Sequence, residues 1–326
     1  MNTFRGFSCA LRFALKLSCC FFGAQVAMAS DLKVVASIAP VHSLVSEVIA
    51  GTDVSAPELL IQGKTSPHSF TLRPSDVRKL QNADILFLIS ETLETSTMHT
   101  LESLEFDTSV IELMNTTGMH LVHMTESDSH ENGHGHVHGQ SHSHGHEHDA
   151  THPMSGFDHH IWLDPANAIV MVDEISGSLS ELDPDNSTVY EANANRLRLE
   201  LEALTEEIAS NLKSAEIGDF IVFHDAYKSF EHRFGLTKKS HPVLLGETRP
   251  GARRMQELRN KLMSAGVQCV FKEPQYDAKI LDVLIEGTDA RVAELDPLGV
   301  NLETGSGQYF AMMRNIATTL TDCLSQ

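Results

Sequence analysis

Pro184-Asp-Asn-Ser-Thr-Val-Tyr-Glu-Ala-Asn-Ala-Asn-Arg-Leu-Arg-Leu-Glu-Leu-Glu-Ala-Leu-Thr-Glu-Glu-Ile-Ala-Ser-Asn-Leu-Lys213 contains no glycine, and no proline after its first residue. Leu197, Leu201, Leu204, Ile208 and Leu212 recur at three- and four-residue steps. That spacing marks one apolar face of a helix, about 45 Å long at 1.5 Å per residue. Such a helix in mid-chain is either a rigid connector between two halves or an ordinary packed helix of one domain. The sequence on either side bears on that choice.

Upstream, short β-rich runs alternate with helical patterns. Leu32 to Ala39 reads as a strand, Pro40 to Ala50 as a helix, and Pro57 to Gln62 holds a short apolar run. Pro74 to Gln81 is a helix opened by proline, and Asp84-Ile-Leu-Phe-Leu-Ile-Ser90 is a buried strand, continuously apolar as parallel strands tend to be. Val110 to Leu113 and His160-Ile-Trp-Leu163 read as further strands, the latter ended by Asp164-Pro165. Downstream the alternation resumes. Strands are expected at 220–223, 243–245, 267–271 and 291–295, with helices at 225–234, 251–265, 278–287 and 309–324. This order predicts parallel α/β layers on both sides of the long helix, and favours the connector.

The first 29 residues carry Arg5, Arg12 and Lys16, no acid, a 13-residue apolar run from Leu17 and the small-x-small signal Ala27-Met-Ala29. They read as a secretory leader, too short to span a bilayer, with Ser30 as the new N-terminus. Leu17-Ser-Cys-Cys20 only faintly resembles a lipoprotein cleavage box, so the periplasm is the expected address. The domains are then residues 30–183, the helix 184–213, and 214–326. Of five cysteines, Cys269 and Cys323 remain after cleavage. In an oxidising compartment they read as one disulfide. A zinc site is the rival reading, but neither cysteine lies in a Cys-x-x-Cys pair or near a histidine. Loss of the leader's three positive charges takes the formal charge from −20 to −23. So acidic a chain is a poor binder of nucleic acid or anionic lipid, and it suits cations.

Between His130 and His152 nine histidines fall within 23 residues, spaced by Gly, Ser, Glu and Asp. They are His130, His134, His136, His138, His142, His144, His146, His148 and His152, within an acidic insertion at about 120–155. The tract cannot bury enough apolar surface to offset its ordering entropy, so a mobile loop is expected. It offers many neutral imidazoles, common ligands for zinc, copper and nickel. A purification tag is the rival reading, but tags sit at termini and repeat uniformly. Most of the other ten histidines need bind nothing. Three stand near strand ends and turns: His68 in Ser66-Pro-His-Ser-Phe-Thr-Leu-Arg-Pro-Ser-Asp76, His160, and His224 after Phe220-Ile-Val-Phe223. Asp296 holds a similar place after Leu295. Ligands in open α/β sheets collect at strand ends, yet spacing alone makes this a weak site.

A resemblance adds what spacing lacks. His68-Ser-Phe-Thr-Leu-Arg-Pro-Ser-Asp76, His160-Ile-Trp-Leu-Asp-Pro165, Phe223-His-Asp-Ala-Tyr227, Cys269-Val-Phe-Lys-Glu-Pro-Gln275 and Leu295-Asp-Pro-Leu-Gly299 resemble, in order, the motifs of the periplasmic zinc-binding proteins of bacterial zinc ABC importers. The resemblance runs from about Val34 to Cys323. It implies two βα lobes with parallel sheets, joined by one long rigid helix, with the metal in the cleft between them. It implies ligand roles for His68, His160 and His224, with Asp296 or water completing the set. Pro67 stands where some relatives carry a glutamate before the first histidine. Three imidazoles plus a carboxylate or water make a tetrahedral site suited to Zn2+ at about 2.0–2.1 Å. Manganese and iron relatives replace the third histidine with a carboxylate, so His224 favours zinc. Copper(II) would bind as well by intrinsic affinity. His159 is expected on the other face, and His42, His99, His232 and His241 read as structural.

The expected function is a non-catalytic, monomeric solute-binding protein that captures Zn2+ and delivers it to a membrane ABC permease, without nucleic acid. The alternatives are a periplasmic zinc buffer or metallochaperone built on the tract, and a zinc hydrolase. The hydrolase lacks both a His-Glu-x-x-His helix and a Gly-x-Ser-x-Gly elbow.

Overall fold

Besides Met1, the computed structural model describes residues 32–104, 107–124, 156–215, 217–237, 239–244, 250–264, 267–277 and 279–325. The leader beyond Met1 and the histidine tract from His130 to His152 lie outside them.

The first sheet holds β1 (Val34–Ala36), β2 (Glu58–Leu59), β3 (Ile85–Leu88) and β4 (Ser109–Glu112), all parallel, in the order β2-β1-β3-β4. The second holds β5 (Phe220–His224), β6 (Ser240–Leu244), β7 (Cys269–Lys272) and β8 (Arg291–Glu294), all parallel, in the order β6-β5-β7-β8. The two halves thus repeat one plan, an open α/β sheet with its switch point beside the first strand. Residues 85–88 are wholly buried, which explains their unbroken apolar run.

The helices are α1 (Ala39–Val48), α2 (Pro74–Asn82), α3 (Thr95–Leu104), α4 (Pro165–Leu182), α5 (Ser187–Ser214), α6 (Lys228–Phe234), α7 (Ala252–Ser264), α8 (Lys279–Ile285) and α9 (Gln308–Leu324). The long mid-chain helix is α5. It starts at Ser187, because Pro184–Asn186 forms a 3-10 turn. Its buried face is Tyr190, Ala194, Leu197, Leu201, Leu204, Ile208 and Leu212, the expected stripe extended by about two turns. It packs on α4 and α1 beside the first sheet, and on α9, which follows the second.

Two local readings are corrected. Ile161–Leu163, expected as a strand, is one turn of 3-10 helix. Three apolar residues are too few to choose a period, and the signal in Asp164-Pro165 belongs to the following helix. The Asp164 carboxylate accepts the Ala166 N–H at 2.9 Å and Pro165 fills the first helical position, so this pair starts α4. The sequence reading assigned no element to α4 or α3.

One continuous apolar core contains residues of both sheets together with α1, α4, α5 and α9, and a smaller cluster lies under α7 and α8. Polar stitches cross between the halves inside it. Trp162, 1 % exposed, donates its indole N–H to the Pro297 carbonyl at 2.7 Å. Tyr309, at the start of α9, donates its hydroxyl to the Trp162 carbonyl at 2.8 Å and its backbone N–H to Ser43 Oγ at 3.0 Å. Cys269 is disulfide-bonded to Cys323, 54 residues on, which pins the last turn of α9 to β7.

Two outcomes follow from this framework. Closing a loop of that length removes chain entropy from the unfolded state worth about 4 kcal/mol, so reduction is expected to lower stability by that order. Denaturant unfolding with and without reductant measures it, and alkylation of the folded protein should label neither Cys269 nor Cys323. A core shared by both halves also leaves little room for hinge motion. Scattering profiles with and without a bound divalent cation should give the same radius of gyration; a contraction of several ångströms would contradict the shared core.

Candidate metal centre

One strand end and two turn segments deliver one imidazole each to the cleft. His224 is the last residue of β5 and is 5 % exposed. His160 immediately precedes the Ile161–Leu163 turn and is 6 % exposed. His68 lies in the turn Pro67–Ser69, started by proline in the segment after β2, and is partly buried.

The Nε2 atoms converge. His160 Nε2 lies 3.2 Å from His68 Nε2 and 3.2 Å from His224 Nε2. The three residues can each present a ligand atom within 4.8 Å of the others. A tetrahedral ion with bonds of 2.0–2.1 Å separates its donors by about 3.3–3.4 Å, close to the spacing found here.

The other ring nitrogens explain why lone pairs face inward. His160 Nδ1 donates to Asp158 Oδ1 at 2.8 Å, and His224 Nδ1 donates to Glu273 Oε2 at 2.8 Å. A proton held on Nδ1 by a carboxylate leaves Nε2 as an acceptor. Two such lone pairs at 3.2 Å repel each other, and a cation between them removes the repulsion. Asp158 and Glu273 are both 2 % exposed. Burial pushes the Asp158 carboxyl up, but the charge and hydrogen bonds of His160 and those of Ser229 outweigh it, so the net shift is down. His68 is held well below the ordinary histidine value, first by burial and then by the charges of His160, His224 and His159. It offers its lone pair to a cation at neutral pH.

Asp296 is not in this group. Its Oδ1 accepts the N–H groups of Leu298 at 3.2 Å and Gly299 at 2.9 Å, and Gln275 Nε2 at 3.1 Å. Its Oδ2 takes the Asn301 N–H at 3.4 Å, so the carboxylate ties down its own loop. His159 turns away as expected, with Nδ1 at 3.1 Å from both Ser90 Oγ and Thr92 Oγ1. Burial and then the charge of His160 push it down to about 4. His42 is structural, its Nε2 at 2.8 Å from the Pro57 carbonyl. Trp162, Gln275, Tyr276, Pro297 and Leu298 complete the wall, with the Trp162 ring 5.2 Å from His160 and the Tyr276 ring 5.3 Å from His224. The sequence reading did not single out Asp158 or Glu273. Glu273 stood within a quoted motif, and Asp158 lies two residues before His160; a carboxylate so near each histidine was the available signal.

A family model described as ZnuA, zinc-uptake complex component A periplasmic, matches residues 34–323. The high-affinity zinc uptake system protein ZnuA of Brucella suis is 39 % identical over 308 residues, covering 90 % of this chain and 92 % of that protein. Its counterpart in Paracoccus denitrificans is 37 % identical over 301 residues, covering 90 % and 91 %. Among solved structures, a crystal structure of ZnuA superimposes with a TM-score of 0.74 at 24 % identity, covering 90 % of this chain and 99 % of that one. At that identity the solved structure speaks for the fold alone. The family match and the 39 % identity over nine-tenths of the chain settle descent: the protein belongs to the ZnuA family of zinc-uptake components.

Proposed function

We propose that this chain captures Zn2+ in the periplasm, holds it on the Nε2 atoms of His68, His160 and His224, and delivers it to the membrane permease of an ABC importer. The observation that carries this reading is the convergence of three imidazole donors at 3.2 Å, two of them with Nδ1 fixed by a buried carboxylate. Zinc accepts three nitrogens and a fourth, exchangeable ligand. Asp296 is engaged by its own loop, so water takes the fourth place. Membership of a family of transport components sets the hydrolase aside. Residues 30–183 and 214–326 act as the two lobes, with 184–213 between them. Among the described residues no helix is long and apolar enough to cross a membrane. In this reading the protein docks to the permease as a monomer.

The tract from His130 to His152 acts as an auxiliary zinc-binding segment. The tract lies outside the described residues; on its composition, ion capture there is expected to cost more backbone entropy than capture at the folded centre. Calorimetric zinc titration of the intact protein should therefore show one tight step followed by several weaker ones. Deleting 128–151 should remove the weak steps and leave the tight one. His224→Ala should weaken the tight step by at least about 10- to 100-fold, the loss typical of partners one shell further out. Ligating histidines must be unprotonated, so affinity should fall as pH drops through the histidine range. A tight step that disappeared with the tract, or survived His224→Ala, would overturn the assignment.

A further inference from the structure

Asp158 makes four contacts, and they divide between the two halves of the molecule. Oδ1 accepts the His160 ring Nδ1–H at 2.8 Å and the His160 backbone N–H at 3.1 Å. Oδ2 accepts the Ser229 hydroxyl at 2.7 Å and the Ser229 backbone N–H at 3.1 Å. Ser229 is buried and lies in the first turn of α6, which begins four residues after His224. The carboxylate that orients a ligand of the first half is thus itself gripped by the element that follows the ligand of the second. Glu273 does the matching task for His224 from within the same half, at the end of β7. Of these two carboxylates, Asp158 is the one that bridges the halves.

A second pair docks the same segment on the same helix. Arg233 of α6 donates Nε to Asp164 Oδ1 at 2.6 Å and a terminal nitrogen to Asp164 Oδ2 at 2.8 Å. Residues 158–164 are therefore fastened to α6 at both ends, with His160 between. With two donors on each oxygen, Asp158 has no site left for a proton and serves as a charged acceptor. An imidazole donating to it keeps its Nε2 lone pair aimed at the ion and becomes a better donor.

Building on the metal-site reading above, we propose that Asp158 is a positioning residue for zinc capture. With Ser229 as its partner across the cleft, it makes the presentation of His160 depend on contact between the two halves. When the 158–164 segment and α6 are together, His160 is aimed. When the segment shifts locally away from α6, without hinge motion of the shared core, Asp158 loses its grip on Ser229 and His160 loses its fixed orientation. Zinc release is thereby linked to separation at α6.

The test is a double-mutant cycle on the full chain, comparing Asp158→Asn, Ser229→Ala and both together, with His224→Ala as control. Zinc affinity is read by competition with a chromophoric chelator, and site geometry by the visible spectrum of the Co2+-loaded protein. Asp158→Asn should weaken zinc about 10- to 100-fold and alter the tetrahedral cobalt bands. Ser229→Ala should give a smaller loss in the same direction, and none in the Asp158→Asn background, because Ser229 acts only through Asp158. Zinc affinity and cobalt bands unchanged in Asp158→Asn would overturn the proposal, even if the metal-free protein melted earlier. So would a Ser229→Ala loss that persisted without Asp158. If Asp158→Asn failed to fold, Ser229→Ala alone would decide, an unchanged spectrum and affinity counting against it. Loss of tight zinc in His224→Ala confines any such failure to Asp158; its retention would bring down the site assignment itself.

Discussion

The structure turns on a repulsion it does not relieve by itself. Two imidazoles with protons fixed on Nδ1 point their Nε2 lone pairs at each other across 3.2 Å, and a third closes the group. Left to relax, such rings would rotate or acquire protons. Here burial opposes protonation of His68. The carboxylates of Asp158 and Glu273 oppose rotation of His160 and His224. A cation at the point of convergence would relieve that repulsion, and the rest of the fold holds the rings there.

Holding them requires that two sheets far apart in sequence keep a fixed relation. Strand ends supply only His224 directly; His68 arrives on a single turn of 3-10 helix and His160 immediately before another. Such turns have little internal stability, and their placement comes from what they pack on. For residues 161–163 that support is full burial, the Trp162 indole on the Pro297 carbonyl, and the Tyr309 hydroxyl on the Trp162 carbonyl. The final helix, pinned by Cys269–Cys323, therefore braces the turn that follows His160, the proposed ligand of the first half. Stabilising the last helix and aiming His160 are one mechanical task.

The architecture was legible because its signals are long or repeated. Seven buried residues of α5 share one helical stripe, and 85–88 could hardly be anything but a buried strand. Short signals misled: Ile161-Trp-Leu163 carries no period, and its neighbour Asp164 reads as a terminator when it is a cap. The three histidines were placed by motif resemblance, not by spacing, because they come together only through tertiary packing over 92 and 64 residues of chain. Asp158 and Glu273 stood beside those histidines in the sequence, but a carboxylate's direction is a property of the packed loop. The same limit applies to Asp296. Its place after a strand suggests a ligand, while the loop 297–301 offers three backbone N–H groups to its oxygens and claims it first.

That contrast separates what a binding site needs from what it can do without. A carboxylate bound directly to the ion would add affinity through charge, but it would have to leave its loop's N–H groups unsatisfied, at about 1–3 kcal/mol each. Two carboxylates placed one imidazole away give charge and orientation together and keep their own hydrogen bonds. In the proposed site they would leave an ion's fourth position to an exchangeable ligand, which suits a zinc-uptake component that must give up its cargo. Affinity then rests on geometry maintained by the contact between the two halves, and a partner that alters that contact can lower the affinity without touching the ion.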